Sequence, residues 1–330
     1  MSTRKIYYMF YSGKNSNFRY YLCSYLREMI PTCFWQMLLK KSLSLLEKRA
    51  DRTEILNRVN YYNKLTNDSL IDKLQWDLQS IEIKHQPMTP QSVYYHDSMK
   101  YARYFKKDMK WILLPGDITH VPELPSIVKS RPLGDDNQNS ILLNMDKVRH
   151  FLFVDDKKAW RDKRNAAIFR GDLGPRKENR NIFMRQFACN TSPLVDAAST
   201  NLWPEHPEWQ QEKMTIGEHL GYKFVMSLEG NDVASNLKWV MSSNSIAVSP
   251  RLTCETWFME GTLIPNYHYI EVKDDFSDLE ERLTYYIEHP SEAEAIIQHA
   301  HEYVNQFRDK QRERLVSLLV LMKYFDITNK

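Results

Sequence analysis

The chain has 330 residues, 42% of them hydrophobic and 26% charged, the balance of a folded globular protein about two domains long. Its 45 basic and 42 acidic residues nearly cancel, leaving a net charge of +3. That excludes the segregated basic excess of a dedicated nucleic-acid binder and suits phosphate-bearing ligands or an anionic membrane surface.

Residues 5–11, KIYYMFY, are aromatic and β-prone and predict a first strand. From Asn17 to Arg49 the pattern is helical, rich in aromatics and Leu, and interrupted at Pro31. Beyond Pro31, Phe34, Leu38 and Leu45 fall on roughly one side, with Lys40, Lys41, Lys48 and Arg49 nearby. Such a helix either lies on anionic lipid or packs on its own domain with its lysines reaching outward. Residues 51–108 read as further helices and loops, then a strand at 111–114 (WILL) and a loop-like segment over 115–133 with Pro115, Pro122, Pro125 and Pro132. Strands are predicted at 151–154 (FLFV), 166–169 (AAIF), 223–228 (KFVMSL), 245–249 (SIAVS) and 268–272 (HYIEV). Helices are predicted over 174–187, 233–242, 277–288 and 291–307. A last helix, over about 309–325, is apolar on one face through Leu315, Leu318, Leu319 and Met322. Short apolar runs alternating with helices predict an α/β fold whose parallel sheet is covered on both faces. A domain boundary is expected near 150–165, where charge mixes with the entry to a new strand.

Cys23, Cys33, Cys189 and Cys254 show no CxxC pair or metal-ligand spacing and read as reduced, buried thiols. No apolar leader and no stretch of the ~20 apolar residues that span a bilayer is present, so a cytoplasmic chain is expected. There is no GxGxxG, Walker A, HExxH or GxSxG motif, and only nine glycines. Phosphate would therefore be held mainly by helix N-termini and basic side chains.

Three segments carry candidate chemistry. In AAIFRGDLGPRKENR (166–180), Arg170-Gly171 ends a strand, where α/β folds bind ligands, and Arg176, Lys177 and Arg180 follow at helix-start positions. The same residues also fit a solvated basic helix face. In YKFVMSLEGNDVASNLKWVMSSNSIAVSP (222–250), a strand ends at Leu228 and Glu229-Gly230-Asn231-Asp232 opens a helix carrying Ser235, Asn236 and Lys238. Glu229 could accept from ribose hydroxyls and the helix start could face a diphosphate, although Asn231 or Asp232 serves equally as an N-cap. In WILLPGDITHVPELPSIVKSRP (111–132), Asp117 lies just past a strand, placed to take a proton, with His120 as the competing base.

Together these segments resemble glycosyltransferase family 90, the capsule-associated and lipopolysaccharide-modifying transferases that include the animal protein O-glucosyltransferases. The likeness covers roughly residues 100–305 and is closest at IFRG, YKFVMSLEG, NLKWVMSSNSIAV and WFMEGTLIPNYHYIEVKDDFSDLEERL. GDITHVPELPSIVKSRP, KVRHF and LEGNDVASNLKW look like its bacterial branch, whose members extend lipopolysaccharide core or similar glycans.

The resemblance implies a GT-B fold, two Rossmann-like domains facing a central cleft: an acceptor-side domain over 1–155 and a nucleotide-sugar domain over 156–305. The helix of 306–330 would pack back on the first. It implies a UDP-hexose donor, inversion at the anomeric carbon and no essential metal. Asp117, with Val121-Pro122 after it, takes the place of the family's base, and Arg170 that of its phosphate-contacting arginine. Gly171, Arg176, Glu229, Gly230, Asn231, Asp232, Ser235, Asn236 and Lys238 fall on the donor side, and His120, Lys129 and Arg131 on the acceptor side. Where the eukaryotic pattern has a diphosphate-contacting Arg, this chain has Asn236, so Lys238, Ser235 and Arg170 are expected to supply the compensation. The acceptor expected is lipopolysaccharide core, with peripheral contact to the inner membrane and no nucleic acid. The rivals are transfer to a protein or another glycan, a nucleotide-sugar hydrolase or phosphorylase, a non-catalytic binding module, and a DNA glucosyltransferase, which the even charge disfavours. Asp155-Asp156 could be mistaken for a metal-binding DxD pair; paired acids in a charged linker are usually solvated.

Overall fold

The computed structural model describes residues 3–189 and 192–330. Its main helices are α1 (Thr3–Tyr11), α2 (Asn17–Glu28), α3 (Thr32–Leu43), α4 (Arg52–Tyr62), α5 (Lys73–Gln79), α6 (Ser92–Ala102), α7 (Lys147–His150), α8 (Glu178–Phe187), α9 (Ile216–His219), α10 (Leu237–Met241), α11 (Leu279–Glu288), α12 (Pro290–Asn305) and α13 (Lys310–Thr328). Its strands are β1 (Ile81–Glu82), β2 (Lys110–Trp111), β3 (Ser126–Val128), β4 (Ser130–Pro132), β5 (Ser140–Leu142), β6 (Arg164–Gly171), β7 (Val195–Ser199), β8 (Tyr222–Met226), β9 (Ile246–Ser249), β10 (Cys254–Thr256) and β11 (Ile270–Glu271). The chain is mixed α/β and divides into two compact units.

One unit takes the segment ending at Asn15, then Arg149–Thr253 and Gly261–Gln306. Its five-stranded sheet is parallel throughout, in the order β11-β9-β8-β6-β7. Starting from β6, the chain places β7 on one side and β8, β9 and β11 on the other. The β6–β8 junction is thus the point where strand order reverses, and a crevice opens at the carboxyl ends of such strands. Helices α8, α11 and α12 close the core with Phe169, Phe183, Phe224, Phe276, Leu283 and Ile296, all at most 4% exposed.

Residues 5–11 are helical, in α1, and not the strand their residue types predict. No neighbouring strand pairs with them; Tyr7 stacks instead on Tyr11 one turn on, with ring centroids 5.1 Å apart. Arg4 forks onto Glu218 at 2.6 and 2.8 Å. Residues 151–154 are likewise no strand: the Val154 amide donates to Ser242 Oγ at 2.9 Å, and the run is a connector. Of the donor-like segment, residues 231–236 form turns, and helix α10 starts only at Leu237. Gly230 N donates to Asp232 O at 3.0 Å and Asn236 Nδ2 to Met226 O at 3.0 Å, which spends these polar groups on the turn. The strand β7 is unpredicted because Asp196 breaks its short apolar run.

The other unit comprises Ser16–Val148, Cys254–Glu260 and Phe307–Lys330. Helix α13 is its axis. It is capped by Asp309, which accepts from Gln311 N and Arg312 N, and every residue from Leu315 to Leu321 is buried, so the helix is apolar on all sides here rather than on one face. Its neighbours include α3, α4 and α6. The 254–260 segment is held in this unit by buried chemistry. Trp257 stacks on Tyr62 with centroids 3.9 Å apart, and Glu313 binds both Arg58, at 2.6 Å, and the Trp257 indole. The 115–133 segment, loop-like in sequence, contains β3 and β4. Strand β3 pairs in parallel with β5 and, through Ile127, with Leu113. Strand β4 pairs antiparallel with β10, setting Arg131 opposite Glu255.

Cys254 is buried, whereas Cys23, Cys33 and Cys189 are exposed free thiols, against the expectation of four buried ones. Among the described residues no helix is long and apolar enough to cross a membrane.

Candidate active site

The β6–β8 crevice holds a cavity of about 340 Å³, walled by the strand ends Phe169–Gly171 and Val225–Leu228 and by Asp172, Arg180, Ser235, Asn236 and Trp239. Its position follows from strand order, and its size is that of a small-ligand pocket. Helix α1 and the turn after it supply another wall through Tyr8 and Lys14. The chain reaches there because the Ile216 amide donates to Ser12 O at 3.0 Å and Gly13 turns at φ +76°, where a β-carbon would come within 3.1 Å of Ile216 Cβ. Lys213 and His219 complete that side. A second cavity of about 620 Å³ shares Tyr8, Thr200 and Lys213 with the first and adds Arg4, Lys5 and Gln211.

Two guanidiniums stand in the wall, each fixed by a carboxylate. Arg170 donates to Asp196 Oδ1 at 2.6 Å and to Gln211 Oε1 at 3.0 Å, while its Nε has no hydrogen-bond partner among the described residues. Burial pushes the Asp196 carboxyl up, but hydrogen bonds from Tyr222 and Arg170 outweigh this and hold it below the usual carboxylate range. Arg180 donates to Asp172 Oδ1 at 2.6 Å and to the Leu228 carbonyl at 3.1 Å. Burial lowers its pKa against the pull of Asp172. A β-carbon on Gly230 would come within 2.9 Å of Arg180 Nη2, so glycine there leaves the guanidinium its place. His219 binds the Thr215 carbonyl at 2.8 Å, and burial depresses its pKa, favouring the neutral ring.

Of the residues singled out in sequence for donor binding, Arg170, Gly171, Ser235 and Asn236 line this cavity. Arg176 is exposed and is not in the wall; Arg180, one helical turn later, is. Glu229 is 7% exposed and binds the Thr253 amide at 3.0 Å and its hydroxyl at 2.5 Å. Gly230 and the exposed Asn231 sit in the turn, Asp232 is buried beneath it, and Lys238 is wholly buried in α10. Tyr8, Lys14, Lys213 and His219 carry no motif, and nothing in their sequence neighbourhood signals a pocket; Trp239 lies in the family-like NLKW stretch beside Lys238 but is not among the residues singled out there.

In the other unit Asp117 follows Gly116, which takes φ +106° to turn the loop. Its carboxylate is ion-paired with Lys129, whose side chain is only 1% exposed, and accepts from Tyr94 OH at 3.4 Å. The Ile118 amide and carbonyl both bind Ser130 Oγ at 3.0 Å, so β4 pins the loop that presents Asp117. His120 is exposed. Arg131 is wholly buried and spends its guanidinium on Glu255, at 2.7 Å, and on the carbonyls of Tyr61 and Ser140, which makes it a core brace. Asp156 binds Lys163 at 2.6 Å and the Asn244 amide at 3.0 Å, so it anchors the connector rather than standing in solvent as expected, while Asp155 is exposed beside Lys157.

Residues 143–316 match the model of the glycosyl transferase family 90. The chain is 37% identical over 276 residues to the O-glucosyltransferase LpsA of Dichelobacter nodosus, with 84% of each chain covered. It is 28% identical over 174 residues to the uncharacterized protein 027R of Frog virus 3 (isolate Goorha), covering 43% of this chain and 18% of the viral one.

Proposed function

Because the chain belongs to glycosyltransferase family 90, and so transfers sugars, we propose that it moves a hexose from a UDP-sugar to a hydroxyl of a bacterial surface glycan, lipopolysaccharide core foremost. The carrying observation is the cavity at the β6–β8 crevice, where Arg170 and Arg180 stand preset beside Lys14 and Lys213. Fixed cations of this kind suit a diphosphate, and Tyr8 and Trp239 offer flat faces to a base. The Dichelobacter nodosus relative is named an O-glucosyltransferase, which supports glucose as the hexose.

In this reading the two units adopt the GT-B arrangement, and Asp117 meets the acceptor across the cleft. The acceptor oxygen attacks the anomeric carbon opposite UDP, Asp117 takes the hydroxyl proton as the bond forms, and the configuration inverts. A positioned base contributes about 10²–10⁴-fold. Negative charge growing on the departing diphosphate is met by the guanidiniums and ammoniums of the cavity, so no essential metal enters the proposal. The reaction is proposed at the cytoplasmic face of the inner membrane, the protein touching it peripherally.

The test is a panel of UDP-hexoses against truncated lipopolysaccharide cores, with products read by mass and anomeric configuration by NMR. One added hexose of inverted configuration is expected. UDP release at an equal rate without acceptor would make the reaction hydrolysis, and retained configuration would remove Asp117 as the base of a single displacement.

A further inference from the structure

Helices of folded proteins turn their apolar side inward. The segment from Asn17 to Leu43 does the opposite. On α2, Phe18, Leu22, Leu26 and Met29 share one face by their three- and four-residue spacing, and that face is outward: Phe18 is 79% exposed and Met29 78%. On α3, Phe34 and Met37 follow, Met37 at 78%. The turn between the helices, Met29-Ile30-Pro31, is apolar and exposed where turns facing water are usually polar.

Several uncharged or paired polar side chains point the other way. The buried residue of α2 is Ser24, whose hydroxyl donates to the Tyr20 carbonyl at 2.9 Å. Gln36 donates to the Phe105 carbonyl at 2.8 Å, and Glu28 binds His96 at 2.6 Å. Glu28 is also the sole acid between Asn17 and Leu43, against Arg19, Arg27, Lys40 and Lys41. Arg19, near the start of the segment, and Lys40 and Lys41, near its end, are exposed.

We infer that this face of α2 and α3 docks on an anionic phospholipid bilayer. Phe18, Leu26, Met29 and Met37 enter the acyl boundary, while Arg19, Lys40 and Lys41 meet the headgroup phosphates. Charge decides against a second copy as the occupant. A symmetric pairing would set the same cations against one another with no exposed acid on the face to answer them, whereas the bilayer supplies the anions. The inference deepens the membrane-side reading above and names the surface responsible, and it is independent of donor and acceptor.

The test is sedimentation of the full chain with vesicles of phosphatidylethanolamine and phosphatidylglycerol, and with phosphatidylcholine alone. Binding to the anionic vesicles should be tighter by about tenfold or more and should weaken with salt. The combined Phe18→Ser, Leu26→Ser, Met29→Ser and Met37→Ser variant should lose about tenfold or more of that binding. The Lys40→Glu, Lys41→Glu variant, which leaves the apolar face intact, should lose the preference for anionic lipid. Both should keep the wild-type circular dichroism and the wild-type transfer to a short lipid-free acceptor, which separates this inference from the assignment of the reaction. Wild-type protein that ignores anionic vesicles, Lys40→Glu, Lys41→Glu protein that retains the preference, or a wild-type dimer that the serine variant turns to monomer without any vesicle binding would overturn it.

Discussion

Replacing Arg180 with alanine tests whether a guanidinium so fully braced also serves a ligand. Its side chain is 13% exposed and makes four hydrogen bonds, to Asp172 Oδ1 at 2.6 Å, to the Asp172 carbonyl at 3.0 Å, and from Nε and Nη2 to the Leu228 carbonyl at 3.3 and 3.1 Å. At about 0.5–1.5 kcal/mol each, with the last two sharing one acceptor, the loss is about 2–4 kcal/mol. Asp172 keeps Lys177, so no carboxylate is stranded. In a chain of this size the melting point should fall by about 3–6 °C. If Arg180 also holds the donor's diphosphate, one charge-assisted contact goes with it, worth about 1.5–3 kcal/mol, and the dissociation constant for UDP rises roughly 10- to 100-fold. Arg180→Lys keeps the charge without the fork and should fall between. Titration calorimetry with UDP, run beside thermal unfolding, reads both quantities. An alanine variant that melts lower and binds UDP as tightly as before would refute the reasoning and leave Arg180 a structural brace alone.

Asp117→Asn should cut transfer by at least ~10²-fold while UDP affinity holds, measured by product formation and calorimetry on the same preparation; near-normal turnover would remove Asp117 from the chemistry. Its melting point should drop as well, since the neutral amide no longer answers the charge of the buried Lys129. Gly171→Ala puts a β-carbon 2.6 Å from Phe169 Cζ, inside the aromatic core, and should cost about 1–3 kcal/mol of stability and weaken UDP binding; unchanged denaturant midpoints would contradict the packing. The carboxyl of Glu218 is drawn down to about 2, mainly by the hydrogen bond from Arg4, with those at Thr215 adding to it, against the opposing effect of burial. A depressed folded-state value means that this stabilisation is fully present above the unfolded value near 4.5 and is lost as pH falls toward about 2. The stability gap between wild type and Glu218→Gln should therefore be flat from neutral pH down to about 4.5 and close between there and about 2, and a gap insensitive to acid would refute the pairing.

The sequence makes the five-stranded sheet largely readable because its strands are buried apolar runs. AAIF, KFVM and IAVS lie in β6, β8 and β9, and the helices between them carry a clear period. What escapes reading is set by pairing across long separations. KIYYMFY has strand residues but no strand to join. Val195–Ser199 has its short apolar run broken by Asp196 yet joins the sheet, where Asp196 finds Arg170 and Tyr222. The same reason explains the pocket wall. Arg170 is visible since it ends a strand, while Tyr8 and Lys14 reach the cavity through contacts such as Ser12–Ile216, 204 residues apart in sequence. Arg176 and Arg180 look alike on paper, and the start of α8 at Glu178 settles which of them turns inward.

The near-neutral net charge also takes on a local meaning. Arg170 with Asp196, and Arg180 and Lys177 with Asp172, are cations whose carboxylates stand within the same unit. These acids hold the guanidiniums in place before any ligand arrives, so an incoming diphosphate meets donors that need little reorganisation. They also offset the positive charge, so binding should depend on geometry more than on bulk attraction and should be only weakly sensitive to salt. Asp196→Asn separates the two contributions. It frees charge on Arg170 while loosening its hold, and a UDP affinity that falls despite the added positive charge is what preorganisation requires. An affinity that rises would mean that charge alone governs the pocket.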